Sequence, residues 1–133
     1  MIVKGLDHIV LEVADVQRSI DFYVGLGLRP ERLDEYRRGE VKFPSLRINA
    51  DTLIDVFPPP MHAGPKGVGH NLHHFALVTD VTIAEVREAL KRLSIEIEQE
   101  ADQNFGARGL ANSVYVRDPD GNSVEIRTYP PAS

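Results

Sequence analysis

Cysteine is absent from this 133-residue chain. That omission removes disulfides, thiolate nucleophiles and thiolate metal sites together, so any metal must be held by His, Asp, Glu or water. A disulfide-stapled secreted scaffold is excluded as well. Long apolar runs are also missing: none approaches the roughly 20 residues that span a bilayer, and the N-terminus opens on a strand-like pattern where a leader would be basic and then apolar. These features predict a cytoplasmic protein with no membrane partner. Basic runs are scarce, with nothing beyond Arg37 and Arg38, and the net charge is −5 with a pI near 5.5. Binding to nucleic acid through phosphate neutralisation is therefore not expected, and a small molecule is the predicted partner.

What is present suits one ordinary domain, or two tightly packed half-size modules. Apolar residues make up 42% and charged residues 26%, which argues against disorder. The most informative stretch is Leu72 to Thr79. It repeats residues 6 to 13 at a constant offset of 66, placing Leu6 under Leu72, His8 under His74 and Leu11 under Leu77.

Local patterns give each half the same order of elements. In residues 6 to 13, Ile9, Leu11 and Val13 alternate with His8, Val10 and Glu12, so His8 lies on the face away from the core. Asp15 can cap a helix striped by Val16, Ile20 and Val24 and widened by Phe22 and Tyr23, which Gly25 and Gly27 end. Residues 28 to 37 carry a broken strand pattern, with a turn at Arg38, Gly39 and Glu40. Residues 43 to 48 and 52 to 57 form a hairpin around Asn49, Ala50 and Asp51. Its second arm puts Ile54 and Val56 on one face and Asp55 and Phe57 on the other. The Pro/Gly-rich stretch that follows Pro58 reads as a linker. In the second half, Phe75 and Leu77 oppose His74, Ala76 and Val78. Thr82 and Glu85 make a capping box ahead of a helix striped by Val86, Leu90 and Leu93. Residues 94 to 99 read as a strand, and 100 to 112 as a loop long enough to wall a site. Residues 113 to 117 and 123 to 128 close the fold as a hairpin about Asp118 to Asn122.

Aligning the two hairpins sets Asp55 against Glu125 at an offset of 70. The repeat therefore matches acid with acid as well as histidine with histidine. His8, Asp55, His74 and Glu125 all fall on the non-helix faces of their strands and converge if the modules pack about a pseudo-twofold axis. Two imidazoles and one or two carboxylates suit Zn, Ni, Co, Mn or Fe, with positions left for water or substrate. The ordinary reading of a single histidine is a hydrogen-bonded or exposed residue, and it applies to His62, His70 and His73. Asp118 and Asp120 belong to the turn. Arg47, Arg108, Arg117 and Arg127 could hold an anion, though surface arginine is the default on hairpins.

The segments LDHIVLEVADVQRSIDFYVGLGL, HHFALVTD and SVYVRDPDGNSVEIRTY resemble the vicinal oxygen chelate superfamily. That group includes glyoxalase I, methylmalonyl-CoA epimerase, extradiol dioxygenases and the fosfomycin- and bleomycin-resistance proteins. The resemblance implies an α+β fold: two βαβββ modules, here 1–60 and 71–133 with a linker at 61–70, forming a curled mixed sheet around a metal cavity with helices outside. It implies that His8, Asp55, His74 and Glu125 are the metal ligands, with Glu125 and Asp55 as candidate catalytic carboxylates. The implied activity is a glyoxalase I-like lyase or isomerase working through an enediolate, in a homodimer. Asp55 departs from that pattern, because glyoxalase I and the epimerase carry Glu or Gln there. Two alternatives share the fold: an extradiol-type dioxygenase on His8, His74 and Glu125, and a metal-free protein that sequesters a cationic drug.

Overall fold

The computed structural model describes residues 1, 2, 4–60 and 72–131. The expected linker at 61–70, with His62 and His70, lies outside the described residues. The chain divides into two compact units, Met1–Pro65 and Lys66–Ser133. No helix among the described residues is long and apolar enough to cross a membrane.

The first unit runs β1 (His8–Glu12), α1 (Val16–Gly25), β2 (Arg29–Glu31), α2 (Leu33–Arg37), β3 (Ser45–Arg47) and β4 (Leu53–Phe57). Its sheet has the order β1-β4-β3-β2, with β1 parallel to β4 and the remaining pairs antiparallel. Asp15 caps α1 by accepting the Arg18 N–H at 3.1 Å. Asn49 shapes the β3–β4 turn by accepting the N–H groups of Asp51 and Thr52, each at 2.9 Å. Leu11, Val13, Ile20, Tyr23, Leu46, Ile54 and Val56 are buried. Of the expected α1 stripe Ile20 and Tyr23 are buried, joined by Ser19, whereas Val24 is exposed. Residues 33–37 are a helix and not the tail of a broken strand. The left-handed Arg32, at φ 60°, stops β2, and Asp34 and Glu35 then occupy a first turn where acids favour a helix.

The second unit runs β5 (Phe75–Thr79), α3 (Ile83–Arg92), β6 (Gln99–Gly106), β7 (Gly109–Arg117) and β8 (Ser123–Thr128), in the sheet order β5-β8-β7-β6. The capping box is present, with Thr82 Oγ1 accepting the Glu85 N–H and the Glu85 carboxylate accepting the Thr82 N–H. Val86 and Leu90 are buried, but Leu93 is exposed because the helix ends beneath it. Two expectations fail in this unit. Residues 94 to 98 are not a strand: Ser94 turns left-handed at φ 57° and the Ile95 N–H returns to the Leu90 carbonyl at 2.9 Å, so β6 begins only at Gln99. The supposed wall loop at 100–112 is itself the β6–β7 hairpin. A register shift between Ala101 and Asn104, with Gln103 at φ 56°, breaks the alternation that would reveal it. The Asp118 turn forms as expected, its carboxylate accepting the N–H groups of Asp120 and Asn122.

Both units are thus βαβββ, the first with α2 added, and the α+β class is as the sequence implies.

Candidate functional site

Strand register places a histidine and an acid together in each unit, and in the same way. In the first, Val10 pairs with Asp55 across the parallel β1–β4 ladder, with His8 two residues earlier on the same face. In the second, Ala76 pairs with Glu125 across β5–β8, and His74 again stands two residues earlier, one position before the strand begins. His8 Nε2 lies 3.8 Å from Asp55 Oδ2, and His74 Nε2 lies 3.2 Å from Glu125 Oε1. Among the described residues no group of three or more His, Asp or Glu meets the geometry of a metal site. What each unit presents is a pair.

The supports are also repeated. Opposite each acid on the neighbouring antiparallel strand stands a hydroxyl residue: Ser45 opposite Asp55, and Tyr115 opposite Glu125. Ser45 Oγ donates to Asp55 Oδ1 at 2.7 Å, and the Tyr115 hydroxyl donates to Glu125. The residue before each histidine reaches that histidine's Nδ1: Asp7 Oδ1 at 2.7 Å for His8, His73 Nδ1 at 2.8 Å for His74. The Asp7 hydrogen bond pushes the His8 pKa up, partial burial opposes it, and the Asp55 charge adds to the rise.

The two acids differ in their surroundings. Asp55 retains partial exposure, whereas Glu125 is buried and faces Arg127. Arg127, which the sequence assigned by default to the surface, is only 5% exposed. Its Nη1 donates to Glu125 Oε2 at 2.6 Å, while Nη2 donates to the carbonyls of Asn104 and Gly109 at 3.0 and 3.3 Å. Asn104 Nδ2 adds a second hydrogen bond to Oε2 at 3.1 Å. Burial alone would raise the Glu125 pKa; hydrogen bonds from Arg127, Asn104 and Tyr115 outweigh it, and the carboxyl is held below its ordinary value. Strand alternation already put Arg127 on the Glu125 face. Asn104 carried no sequence signal, because the bulge concealed the strand that holds it, whereas Tyr115 stands on the expected 113–117 strand, opposite Glu125 in the closing hairpin.

Gly106 is the floor of the arginine cradle. A Cβ there would stand 2.5 Å from Arg127 Cζ and 2.7 Å from its Nε, too close for any side chain. Because the guanidinium is fixed at three points, it cannot swing aside without losing hydrogen bonds. Gly106→Ala should destabilise the protein by about 1–3 kcal/mol through overpacking, read as a shifted urea midpoint. An unchanged midpoint would show that the cradle yields freely.

The remaining candidates separate from this group. Asp118 serves its turn, and Arg117 pairs with Glu98 at 2.7 Å. Arg47 pairs with Glu31 at 2.8 Å, and the Arg108 guanidinium lies over the Tyr129 ring at 4.5 Å. A cavity of about 250 Å³ beside the start of α3, lined in part by Thr82, Ile83, Asn112 and Tyr129, contains none of the four candidate ligands.

Paired βαβββ units define the vicinal oxygen chelate fold. The chain belongs to the Glyoxalase/Bleomycin resistance protein/Dioxygenase superfamily, which its residues 5–126 match. Among its relatives, the glyoxalase domain-containing protein RDO1 of Mycosarcoma maydis is 30% identical over 127 residues, covering 96% of this chain and 69% of that protein. Virulence protein STM3117 of Salmonella typhimurium is 30% identical over 130 residues, covering 97% and 87% respectively. The crystal structure of STM3117 superposes with a TM-score of 0.78 at 28% identity, covering 98% of this chain and 100% of that one. VPC_CASS1, from the mobile metagenome of V. Pseudocholerae, gives 0.79 at 26% identity with 98% of both chains covered.

Proposed function

We propose that this protein is a metal-dependent lyase or isomerase of the glyoxalase type. In this reading His8, His74 and Glu125 hold one divalent ion, either Zn, Ni, Mn, Co or Fe, in a cytoplasmic homodimer. The substrate is a small molecule with two neighbouring oxygens, and the reaction passes through an enediolate. The observation that carries the reading is the histidine–acid pair repeated in one register in both units.

The donors fit such an ion. Two imidazole nitrogens and a carboxylate make a mixed N/O set, and a carboxyl already ionised by Arg127 binds a cation without giving up a proton. When bound, the ion polarises the two substrate oxygens. The chain's own acids then divide the work. Glu125 has Oε2 clamped by Arg127 and Asn104, which fits it to hold a ligand position. Asp55 is one methylene shorter, is partly exposed and is anchored through one oxygen to Ser45. Its other oxygen can take the proton from one substrate carbon and return it to the neighbouring carbon, with no net oxidation.

Proton transfer of this kind has a direct readout. With a bound divalent ion, the protein should wash solvent deuterium into the carbon-bound position of 2-hydroxy ketones or hemithioacetals, followed by NMR. Exchange should cease on chelation. Exchange at the buffer rate in every metal form would defeat the isomerase reading. The same Ser45–Asp55 bond favours a second one, because withdrawing Asp55 leaves the two-His, one-carboxylate set of Fe(II) oxygenases. Oxygen uptake with Fe(II) and a catechol would select it. Failure of every divalent ion to raise the melting temperature would instead favour the drug-sequestering role.

A further inference from the structure

We infer that Asp7 and His73 are paired positioning residues, which fix the ring orientation and tautomer of His8 and His74 so that both present Nε2 to a metal. The inference rests on the metal reading above. Its basis is that the repeat extends beyond the ligands: Asp7 and His73 are related by the same offset of 66 as the histidines they touch.

The chemistry of the contacts assigns the protons. An ionised carboxylate only accepts, so the 2.7 Å contact from Asp7 Oδ1 requires His8 Nδ1 to carry hydrogen. A neutral imidazole has one N–H, and the lone pair is therefore left on Nε2, the nitrogen that faces Asp55. The His73–His74 contact at 2.8 Å joins two Nδ1 atoms and can hold only one proton. If His74 ligates through Nε2, which faces Glu125, then its Nδ1–H donates and His73 Nδ1 accepts. His73 must then carry its own hydrogen on Nε2. The two units thus reach one result with different acceptors, a carboxylate and an imidazole. Metal-ligating histidines are commonly oriented by such an outer acceptor. His74 is steadied further by edge contact with the Tyr115 ring, 5.4 Å between centroids.

Asp7 and His73 are both exposed, so their replacement leaves the core intact. The test loads wild type, His8→Ala, His74→Ala, Asp7→Ala, His73→Ala, Asp7→Asn and His73→Gln with Zn(II). Affinity is read by competition with a chromophoric chelator, and the histidine protons by two-bond ¹H–¹⁵N NMR. In the wild type, His8 and His74 should be protonated at Nδ1 and ligated through Nε2, with His73 protonated at Nε2. Each alanine should weaken zinc about tenfold, the low end for an outer partner because these acceptors are exposed. Asn and Gln keep an accepting oxygen and should restore most of that loss, whereas a role in folding alone would show in the melting temperature of the zinc-free proteins. Zinc lost in His8→Ala and His74→Ala but bound at wild-type strength by both Asp7→Ala and His73→Ala, or ligation through Nδ1, overturns the inference alone. A wild type that binds no zinc overturns the metal reading, and this inference with it.

Discussion

Arg127→Met should lower the unfolding free energy by about 3–5 kcal/mol near neutral pH, the range for a buried charge stripped of its partner. The methionine can fill much of the space, so little of the loss comes from a cavity. It comes from Glu125, left 3% exposed, whose carboxylate keeps Asn104, Tyr115 and the His74 ring as neighbours but loses its guanidinium partner. In the wild type the Glu125 pKa is lowered, so its ionised form contributes stability above the unfolded-state pKa, and that contribution is lost as pH falls through the folded value. Without Arg127 the first of the hydrogen bonds that oppose burial is gone, so the Glu125 pKa should rise from its wild-type position. The cost of the substitution therefore grows as pH rises through the carboxylate range and shrinks in acid. Urea unfolding of both proteins at several pH values measures it. Combining Arg127→Met with Glu125→Gln should recover part of the stability, because the amide removes the unpaired charge. A cost independent of pH, or no recovery in the double variant, would mean that Arg127 acts through packing alone.

Much of this arrangement is legible in the residues. Alternation in 6 to 13 and 52 to 57 assigns His8 and Asp55 to the face opposite the buried Ile54 and Val56, and the register agrees. The Thr82–Glu85 box and the Asp118 turn could be read because their signals are local hydrogen-bonding residues at fixed spacing. Failures arose where one residue in a left-handed conformation overrode the local pattern. Arg32 converted an expected strand into α2, Ser94 delayed β6, and Gln103 made a hairpin look like a loop. That register shift hides Asn104, and with it the polar network around Glu125. The burial of Arg127 escapes the sequence for a different reason. An arginine on a hairpin is usually solvated, and nothing in its own neighbourhood announces the space above Gly106 that accepts it.

The second large effect concerns the metal. His8→Ala, His74→Ala and Glu125→Gln should each weaken a bound divalent ion by at least about a hundredfold, beyond the usual loss for an outer partner. On the proposed reading each removes an atom that would bind the one ion. Asp55→Asn should behave otherwise. It should leave affinity within about tenfold, as for an outer partner, and stop deuterium exchange, because the amide cannot accept the proton. Comparable loss of metal in Asp55→Asn would make Asp55 a fourth ligand. The decisive measurement is a zinc titration of wild type, His8→Ala and His74→Ala, with binding read by calorimetry. A shared site predicts tight binding in the wild type and its loss in both variants. Binding that survives either substitution unchanged would contradict it.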